Sequence, residues 1–400
     1  MRQQCPAIIG IGRTKFGEHY EKEPEKLIEE AWLKASLAAG IERKNLDAAY
    51  ISDYFLQLTN KIGIEEGFIS ELTELHVPME KTRSFSSALF NACNAIQAGR
   101  YKIVLVGGVE KMTDRWDKIR DDLMLLEDPW SYYAGCTPEA NHELMLREYI
   151  RKYAISGEKL ETLKIALAQI AVKNHHHALK NNYAQYQREI RVENVLNERR
   201  KSHKTLGLYD FAPVSDGSAV IILASSEISM KRKNKPIYVA GSASATDFVM
   251  FPAREQRTGF AASSIAMKNA LKMADTAISE IQIAELYDQS TLLEMVSLED
   301  LGFSERGKAW QIINESCKEY NGFYKINSGQ LFVNTDGGLK ADGNPLGATG
   351  GAQIFEVVTQ LRGDAGDRQV KPNKELRVGC VSELEGFGTK AYVHIMQRGD

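Results

Sequence analysis

Residues 24–53 read PEKLIEEAWLKASLAAGIERKNLDAAYISD, and residues 259–288 read GFAASSIAMKNALKMADTAISEIQIAELYD. At a constant offset of 235, Ala31, Ala35, Ala39, Ala49 and Asp53 return as Ala266, Ala270, Ala274, Ala284 and Asp288. Leu46 and Ile51 return as the apolar Ile281 and Leu286. In the first copy Pro24 suits a first helical position, where the N–H it lacks would have had no partner anyway. Leu27, Ile28, Ala31, Trp32 and Ala35 fall on one face at helical spacing, and Gly40 suits the residue just past the helix end. Ala48–Phe55 reads as a strand. The recurrence predicts one helix–strand unit used twice, once in each half of the chain.

Outward from this unit, Ala7–Gly12 reads as a short buried strand that stops at glycine, and Lys102–Val106 as another. Between the strands, Ser87–Gly99 is small and apolar on nearly every side, which marks a buried helix. A second small-residue helix occupies roughly 347–363. Alternating strand and helix predict an α/β layered fold with a mostly parallel sheet, and a site between the halves where helix ends converge. Pro138–Lys201 is charged and helical and reads as an inserted loop domain. Tyr209–Ala224 returns to the core, with Ser215-Asp216-Gly217 as the turn before a buried strand. The expected boundaries are residues 1–235 for the first half, with the insertion at about 114–205, and 236–400 for the second.

Composition narrows the function. Four hundred residues exceed what one hydrophobic core usually organises. With 43% apolar and 26% charged residues the chain has the balance of a folded globular protein. A net charge of -3 gives no overall basic character for nucleic acid or anionic lipid. The longest uniformly apolar stretches resemble Ala219–Ala224, far short of the roughly 20 residues of a membrane-spanning helix. No secretory signal is readable after Met1 and Arg2. The five cysteines, Cys5, Cys93, Cys136, Cys317 and Cys380, are scattered, without CxxC spacing. A reducing cytoplasmic setting is therefore expected, with no disulfide scaffold and no cysteine zinc site.

Several segments in order resemble the thiolase superfamily, in particular its sterol-carrier-protein-x and archaeal acetyl-CoA acetyltransferase branch. They are Leu105–Thr113 (LVGGVEKMT), Val172–His175 (VKNH), Pro213–Ala219 (PVSDGSA) and Leu298–Phe303 (LEDLGF). The most specific is Asn334–Ala341 (NTDGGLKA) running into Gly343–Gly350 (GNPLGATG). The resemblance implies a thiolase-like fold of two duplicated halves in an αβαβα arrangement with an inserted helical loop domain. It also implies Claisen-type chemistry on CoA thioesters in lipid metabolism. In that chemistry a cysteine thiolate at a buried helix start takes the acyl group and a Gly-His-Pro histidine activates it. Coenzyme A is then part of the substrate, no cofactor is covalently bound, and a homodimer or larger assembly is expected.

Carried over residue by residue, the pattern departs from the family at each of those positions. The nucleophile slot falls on Thr82, followed by Arg83 and Ser84, and Cys93 lies 11 positions onward inside the expected helix. Thr82 is either a nucleophile in need of a base or, with Ser84 and Ser86, a helix-capping residue. Asn344 stands in the Gly-His-Pro slot; an amide can hold an oxyanion but cannot accept a proton at neutral pH. Tyr287, in Glu285-Leu286-Tyr287-Asp288, takes the place of His or Asn, either as a donor to an enolate or thioester oxygen or as a packing residue. Ser382 takes the acid/base slot on a C-terminal loop, and Glu383 and Glu385 add carboxylates that the family pattern lacks. Glu383 is either a general base with a raised pKa or a solvated loop residue. Ser84, Gly347 and Gly386 are expected beside the substrate.

Two functional readings follow. One is an acyltransferase or aldolase-type enzyme that makes or breaks a carbon–carbon bond beside a CoA thioester without a cysteine acyl-enzyme. The other is a non-catalytic subunit paired with an active thiolase or a small zinc-ribbon/OB-fold protein. An acyl carrier protein in place of CoA stays open. His175-His176-His177 offers no shared helix face for a metal and is expected at solvent or at a subunit contact. Lys231-Arg232-Lys233 and Lys235 are expected in a turn.

Overall fold

The computed structural model describes residues 5–115, 117–231, 236–318, 322–327 and 329–399, so the Arg232–Lys235 part of the basic run lies outside the described residues. The strands are β1 (Ala7–Arg13), β2 (Ala48–Ser52), β3 (Met79–Thr82), β4 (Ile103–Glu110), β5 (Gly217–Ala224) and β6 (Ile237–Thr246). They continue with β7 (Ile283–Glu285), β8 (Tyr324–Ile326), β9 (Gly329–Val333), β10 (Val378–Glu385) and β11 (Lys390–Arg398). Their order is β3-β2-β4-β5-β1-β6-β11-β10-β7-β9-β8. From the β1–β6 junction the two directions mirror each other: β1, β5, β4, β2, β3 against β6, β11, β10, β7, β9. The repeat seen at offset 235 extends to short elements. The turn of helix at Arg43–Asn45 returns as Ile278–Glu280, and β2 returns as β7.

The sheet is mixed rather than mostly parallel. β2 runs parallel to β3 and β4, and β7 to β9 and β10, but β4–β5, β5–β1, β1–β6, β6–β11 and β11–β10 are antiparallel. A run such as Gly217–Ala224, buried at all eight positions, looks like a parallel strand because both its faces are covered. Here an antiparallel strand is covered on both faces in the same way.

The Pro24–Ala39 helix lies on β1 and β5, and the Ala261–Ala274 helix on β6 and β11. The small-residue segments form the helices Phe85–Gln97 and Leu346–Arg362, which pack on each other and on strands of both halves. Phe85, Ala88, Leu89, Ala92, Ala348, Ile354 and Val357 share one apolar cluster with Val104, Ile221 and Val381. Gly108 and Gly347 allow a close approach here. A Cβ on Gly108 would lie 2.0 Å from the Gly347 carbonyl oxygen, and one on Gly347 would lie 2.7 Å from Asp53 Cα.

Between β4 and β5 lie the helices Pro138–Lys152, Glu158–Ala178 and Val192–Ser202. The longest is tied to the second half by buried polar groups. Asn174 Nδ2 donates to Asp288 Oδ2 at 2.7 Å, and Lys173 Nζ lies 3.1 Å from Glu294 Oε1. The histidine triplet differs from expectation. His175 is buried with Nδ1 3.0 Å from the Arg188 carbonyl, and His177 Nδ1 lies 2.7 Å from the Asn334 carbonyl. Only His176 faces solvent, because successive helical positions point about 100° apart. Among the described residues no helix is long and apolar enough to cross a membrane.

Candidate active site

The Phe85–Gln97 helix is capped by Ser84, whose extended backbone turns the chain out of β3. Ser84 Oγ accepts the Ser87 N–H at 3.2 Å and donates to Glu385 Oε1 at 2.7 Å. Thr82 ends β3 two residues earlier. Its Oγ1 reaches the carbonyls of Ile51 at 3.2 Å and Ser84 at 3.1 Å, so it braces the approach to the helix while Ser84 caps it.

Glu383 and Glu385 are on β10, not on a loop; the turn begins after Glu385. The apolar residues Val378, Val381 and Leu384 and the pairing with β11 and β7 extend the strand through the carboxylates. Glu383 is 1% exposed. Its Oε2 accepts the Ser86 N–H at 2.7 Å, and the Gly350 N–H also donates to the carboxylate. A Cβ on Gly350 would lie 2.2 Å from that oxygen. One carboxylate is thus seated at the first turn of the Phe85–Gln97 helix, where unpaired N–H groups and the helix dipole favour negative charge, and beside the second turn of the Leu346–Arg362 helix. Burial works the other way and prevails, Glu385 adds repulsion, and the carboxyl is pushed up to about 7. Side chains alternate along a strand, so Ser382 faces away from Glu383; its carbonyl accepts from Gln353 Nε2 at 3.3 Å.

Tyr287 lies two residues past the end of β7 and is buried. Thr349 Oγ1 donates to Asn344 Oδ1 at 2.8 Å, and the Asn344 amide hydrogen-bonds to the Tyr287 phenol oxygen. The Asn344 N–H is held by Ser215 Oγ at 2.9 Å. Burial and the charge of Glu383 push the phenol pKa far up, so Tyr287 stays protonated.

The structure therefore brings together Tyr287, Asn344, Glu383 and Ser84, with Thr82 at the edge. Gly347 supports the scaffold: its N–H reaches Glu110 Oε1 at 3.3 Å and its carbonyl accepts from Ser52 Oγ at 2.7 Å. Gly386 turns the chain after β10 at φ 59° beside the Leu126 carbonyl. Tyr54 was missed by the sequence reading. Its phenol is shifted upward by burial and by the charges of Glu385, Tyr287 and Glu383, which places it among them. The repeat gave no signal for it, because at the offset of 235 Tyr54 falls opposite Gln289 and Tyr287 opposite Ser52.

None of the five cysteines stands at the start of either central helix. Cys93 is buried within the Phe85–Gln97 helix with its thiol pushed up by burial, and Cys380 is buried on β10 with its thiol pushed up to about 12. Among the described residues no group of three His, Cys, Asp or Glu side chains is arranged to hold a metal ion.

Residues 6–227 match the family model of the thiolase N-terminal domain, and residues 243–398 match that of the thiolase C-terminal domain-like family. The chain belongs to the thiolase family. It is 34% identical over 401 residues to an acetyl-CoA acetyltransferase of Methanothermobacter thermautotrophicus, covering 98% of this chain and 99% of that one. It is 29% identical over 413 residues to sterol carrier protein 2 of Oryctolagus cuniculus, covering 98% of this chain and 72% of that protein. Among solved structures, one named Ltp2-ChsH2(DUF35) aldolase superposes with a TM-score of 0.79 at 22% identity, covering 99% of this chain and 98% of that one. Human mitochondrial 3-ketoacyl-CoA thiolase superposes with a TM-score of 0.70 at 17% identity over the whole of both chains. In this thiolase the convergent helix starts face a carboxylate, a phenol and an amide, which is a set for moving a proton and holding a developing oxyanion.

Proposed function

We propose that this thiolase acts on CoA thioesters by making or breaking a carbon–carbon bond beside the thioester carbonyl, without passing the acyl group through a cysteine. One observation carries the reading: the buried Glu383 carboxylate, set at the start of the Phe85–Gln97 helix and beside the Leu346–Arg362 helix with a pKa of about 7. At neutral pH such a group is present in both forms and can take and return a proton.

In the cleaving direction, Glu383 takes the proton of a β-hydroxyl group. The Cα–Cβ bond opens, Cβ becomes a carbonyl carbon, and the electron pair moves onto the thioester oxygen as an enolate. The O–H of Tyr287, held beside Asn344 and Thr349, donates to that oxygen. Protonated Glu383 then returns the proton to Cα, and the shortened acyl-CoA leaves. In the joining direction the same steps run backwards, beginning with removal of the α-proton. Coenzyme A is part of the substrate, and no covalently bound cofactor is needed. The relatives named acetyl-CoA acetyltransferase support the substrate class.

Incubation of the full chain with acetyl-CoA tests the reading. Intact mass is expected to show no acyl adduct, and an acylated Cys, Ser or Thr overturns it. A second reading, a subunit that works only in a complex, is favoured by the solved structure whose name joins Ltp2 to the DUF35 protein ChsH2. Under that reading the isolated chain exchanges no α-proton of acetyl-CoA with solvent and gains that activity when a partner protein is added.

A further inference from the structure

The loop-domain helix Pro138–Lys152 brings His142 against the second half, and the residue is 1% exposed. His142 Nδ1 lies 2.8 Å from Ser290 Oγ. Ser290 caps the Thr291–Asp300 helix, and its oxygen accepts the Leu293 N–H at 3.3 Å. Among the described residues the Ser290 hydroxyl hydrogen has one acceptor, His142 Nδ1, so the imidazole carries its own hydrogen on Nε2. That N–H has no hydrogen-bond partner among the described residues. The Phe211 and Phe387 rings flank the imidazole at steep angles, with centroids 5.3 and 4.8 Å away, and an aromatic ring is a much weaker acceptor than an oxygen.

This open donor stands beside the candidate site. Ser290 is three residues past Tyr287, and Phe387 is two past Glu385, spans of at most about 11 and 7 Å. Both neighbours of the imidazole are pinned. Phe211 pairs with Ser290 in an antiparallel bridge, and the Ala212 N–H donates to the Gln289 carbonyl at 2.9 Å. Arg254 Nη1 donates to the Phe387 carbonyl at 2.7 Å, and the Phe387 ring packs on Phe251 and Phe260. Burial alone holds the His142 imidazole down to about 3, with no charged group among the described residues acting on it, so it is neutral. Buried N–H groups in folded chains are nearly always met, which leaves this one to a water or a ligand.

We infer that the His142 Nε2–H binds a neutral oxygen, a ketone or hydroxyl, on the acyl chain of the substrate beyond Cβ. Bonds change at Cα and Cβ, beside Glu383 and Tyr287, and an acyl chain that continues for a few carbons spans a distance of the size that separates these residues from Ser290 and Phe387. The pantetheine arm has to run out to solvent, whereas His142 is enclosed, so the oxygen belongs to the acyl end. A plain alkyl chain leaves the N–H unmet, and a carboxylate would lose its water with no cation to replace it. His142 is a specificity-determining residue that touches the substrate away from the reacting atoms and moves no proton. The inference rests on the CoA-thioester reading above, but not on which group is the base.

Calorimetric dissociation constants test it, with acetyl-CoA, octanoyl-CoA, and octanoyl-CoA carrying one ketone at each successive carbon beyond Cβ as ligands. One ketone isomer is expected to bind the wild type about 10-fold more tightly than octanoyl-CoA. His142→Leu is expected to lose that preference while its affinity for octanoyl-CoA stays within a few-fold. His142→Gln keeps a donor, and an acceptor for Ser290, and is expected to retain most of the preference. If every ketone isomer binds no more tightly than octanoyl-CoA, a water meets the N–H and the inference is overturned; this comparison needs only the wild type, so it decides even where a variant fails to fold. An equal loss of affinity for acetyl-CoA and the ketone isomer in folded His142→Leu also overturns it, because the contact is then with the pantetheine arm. If no acyl-CoA binds, the substrate class falls and the inference with it. Deuterium wash-in at C2 of acetyl-CoA in D2O reads the base separately: exchange that survives Glu383→Gln overturns the base and leaves the ketone preference standing.

Discussion

Glu385 and Glu110 close the equivalent strands β10 and β4, and each lies against the start of the other half's central helix. Glu385 Oε1 accepts Ser84 Oγ at 2.7 Å ahead of the Phe85–Gln97 helix. Glu110 Oε1 accepts the Gly347 N–H at 3.3 Å in the first turn of the Leu346–Arg362 helix. The internal repeat thus crosses over, and each half holds the helix terminus of the other. The candidate site lies where the two crossings meet, so its geometry depends on the halves being locked together.

Glu110 is the structural member of the pair. It also accepts the Tyr54 N–H at 2.5 Å, it is fully buried, and burial together with Asp53 pushes its carboxyl well up. Glu110→Gln keeps an acceptor for both N–H groups and is expected to change stability by less than about 1 kcal/mol. Glu110→Ala strands them and is expected to cost about 2–3 kcal/mol. Denaturant midpoints of the two variants check this, and equal midpoints would sink it.

Glu383→Gln removes the base while keeping a planar acceptor for the Ser86 and Gly350 N–H groups. Deuterium wash-in at acetyl-CoA is expected to fall about 10²–10⁴-fold with the fold intact by circular dichroism. In the wild type the active form is the carboxylate, so the rate is expected to rise with pH through about 7 and then level off. A limb that instead falls as pH rises through 7 would mean that the protonated acid starts the reaction.

Much of this was legible from particular residues. Ala31 to Asp53 against Ala266 to Asp288 announced the duplication, because packed helices and buried strands restrict both copies to small and apolar residues at the same places. Tyr287 and Asn344 were legible because they interrupt otherwise specific motifs. Strand direction was not, since full burial leaves the same apolar signature in parallel and antiparallel strands. Glu383 was readable as a candidate but not as a strand residue. Two carboxylates in Val381–Glu385 look like a loop until the helix start that receives them is placed opposite.

Ser84 is read here as a cap and a brace for Glu385, not as a nucleophile. Ser84→Ala is expected to lower stability by about 1 kcal/mol, the usual effect of losing a helix cap. Deuterium wash-in at acetyl-CoA is expected to stay within a few-fold of wild type, and Thr82→Ala is expected to behave likewise. A loss of exchange as deep as that of Glu383→Gln in either variant would move that hydroxyl into the chemistry.

Stability should depend on pH in a direction set by the buried groups. Burial pushes Asp53 up to about 6 from an ordinary 3.8, and Glu127 and Glu383 up to about 7 from 4.5. The folded chain therefore holds protons that the unfolded chain has already lost, so stability falls as pH rises from about 4 to 7. Buried His142, His177 and His394 are held down to about 3 and His175 to about 4, against 6.5. These groups fold neutral, and their contribution grows with rising pH up to about 6.5 and then stops. The two sets oppose each other below 6.5. Above it the histidines no longer contribute; Asp300, pushed up to about 7 by burial, and Asp342, pushed up to about 8, carry the fall on, while buried Lys340, held down to about 8, opposes it from about pH 8 upward. The thermal midpoint at constant ionic strength is expected to be lower at pH 8 than at pH 6. Glu127→Gln removes one of the carboxyls and is expected to flatten the decline. A midpoint that climbs from pH 6 to pH 8 would show that these carboxylates are ionised within the fold.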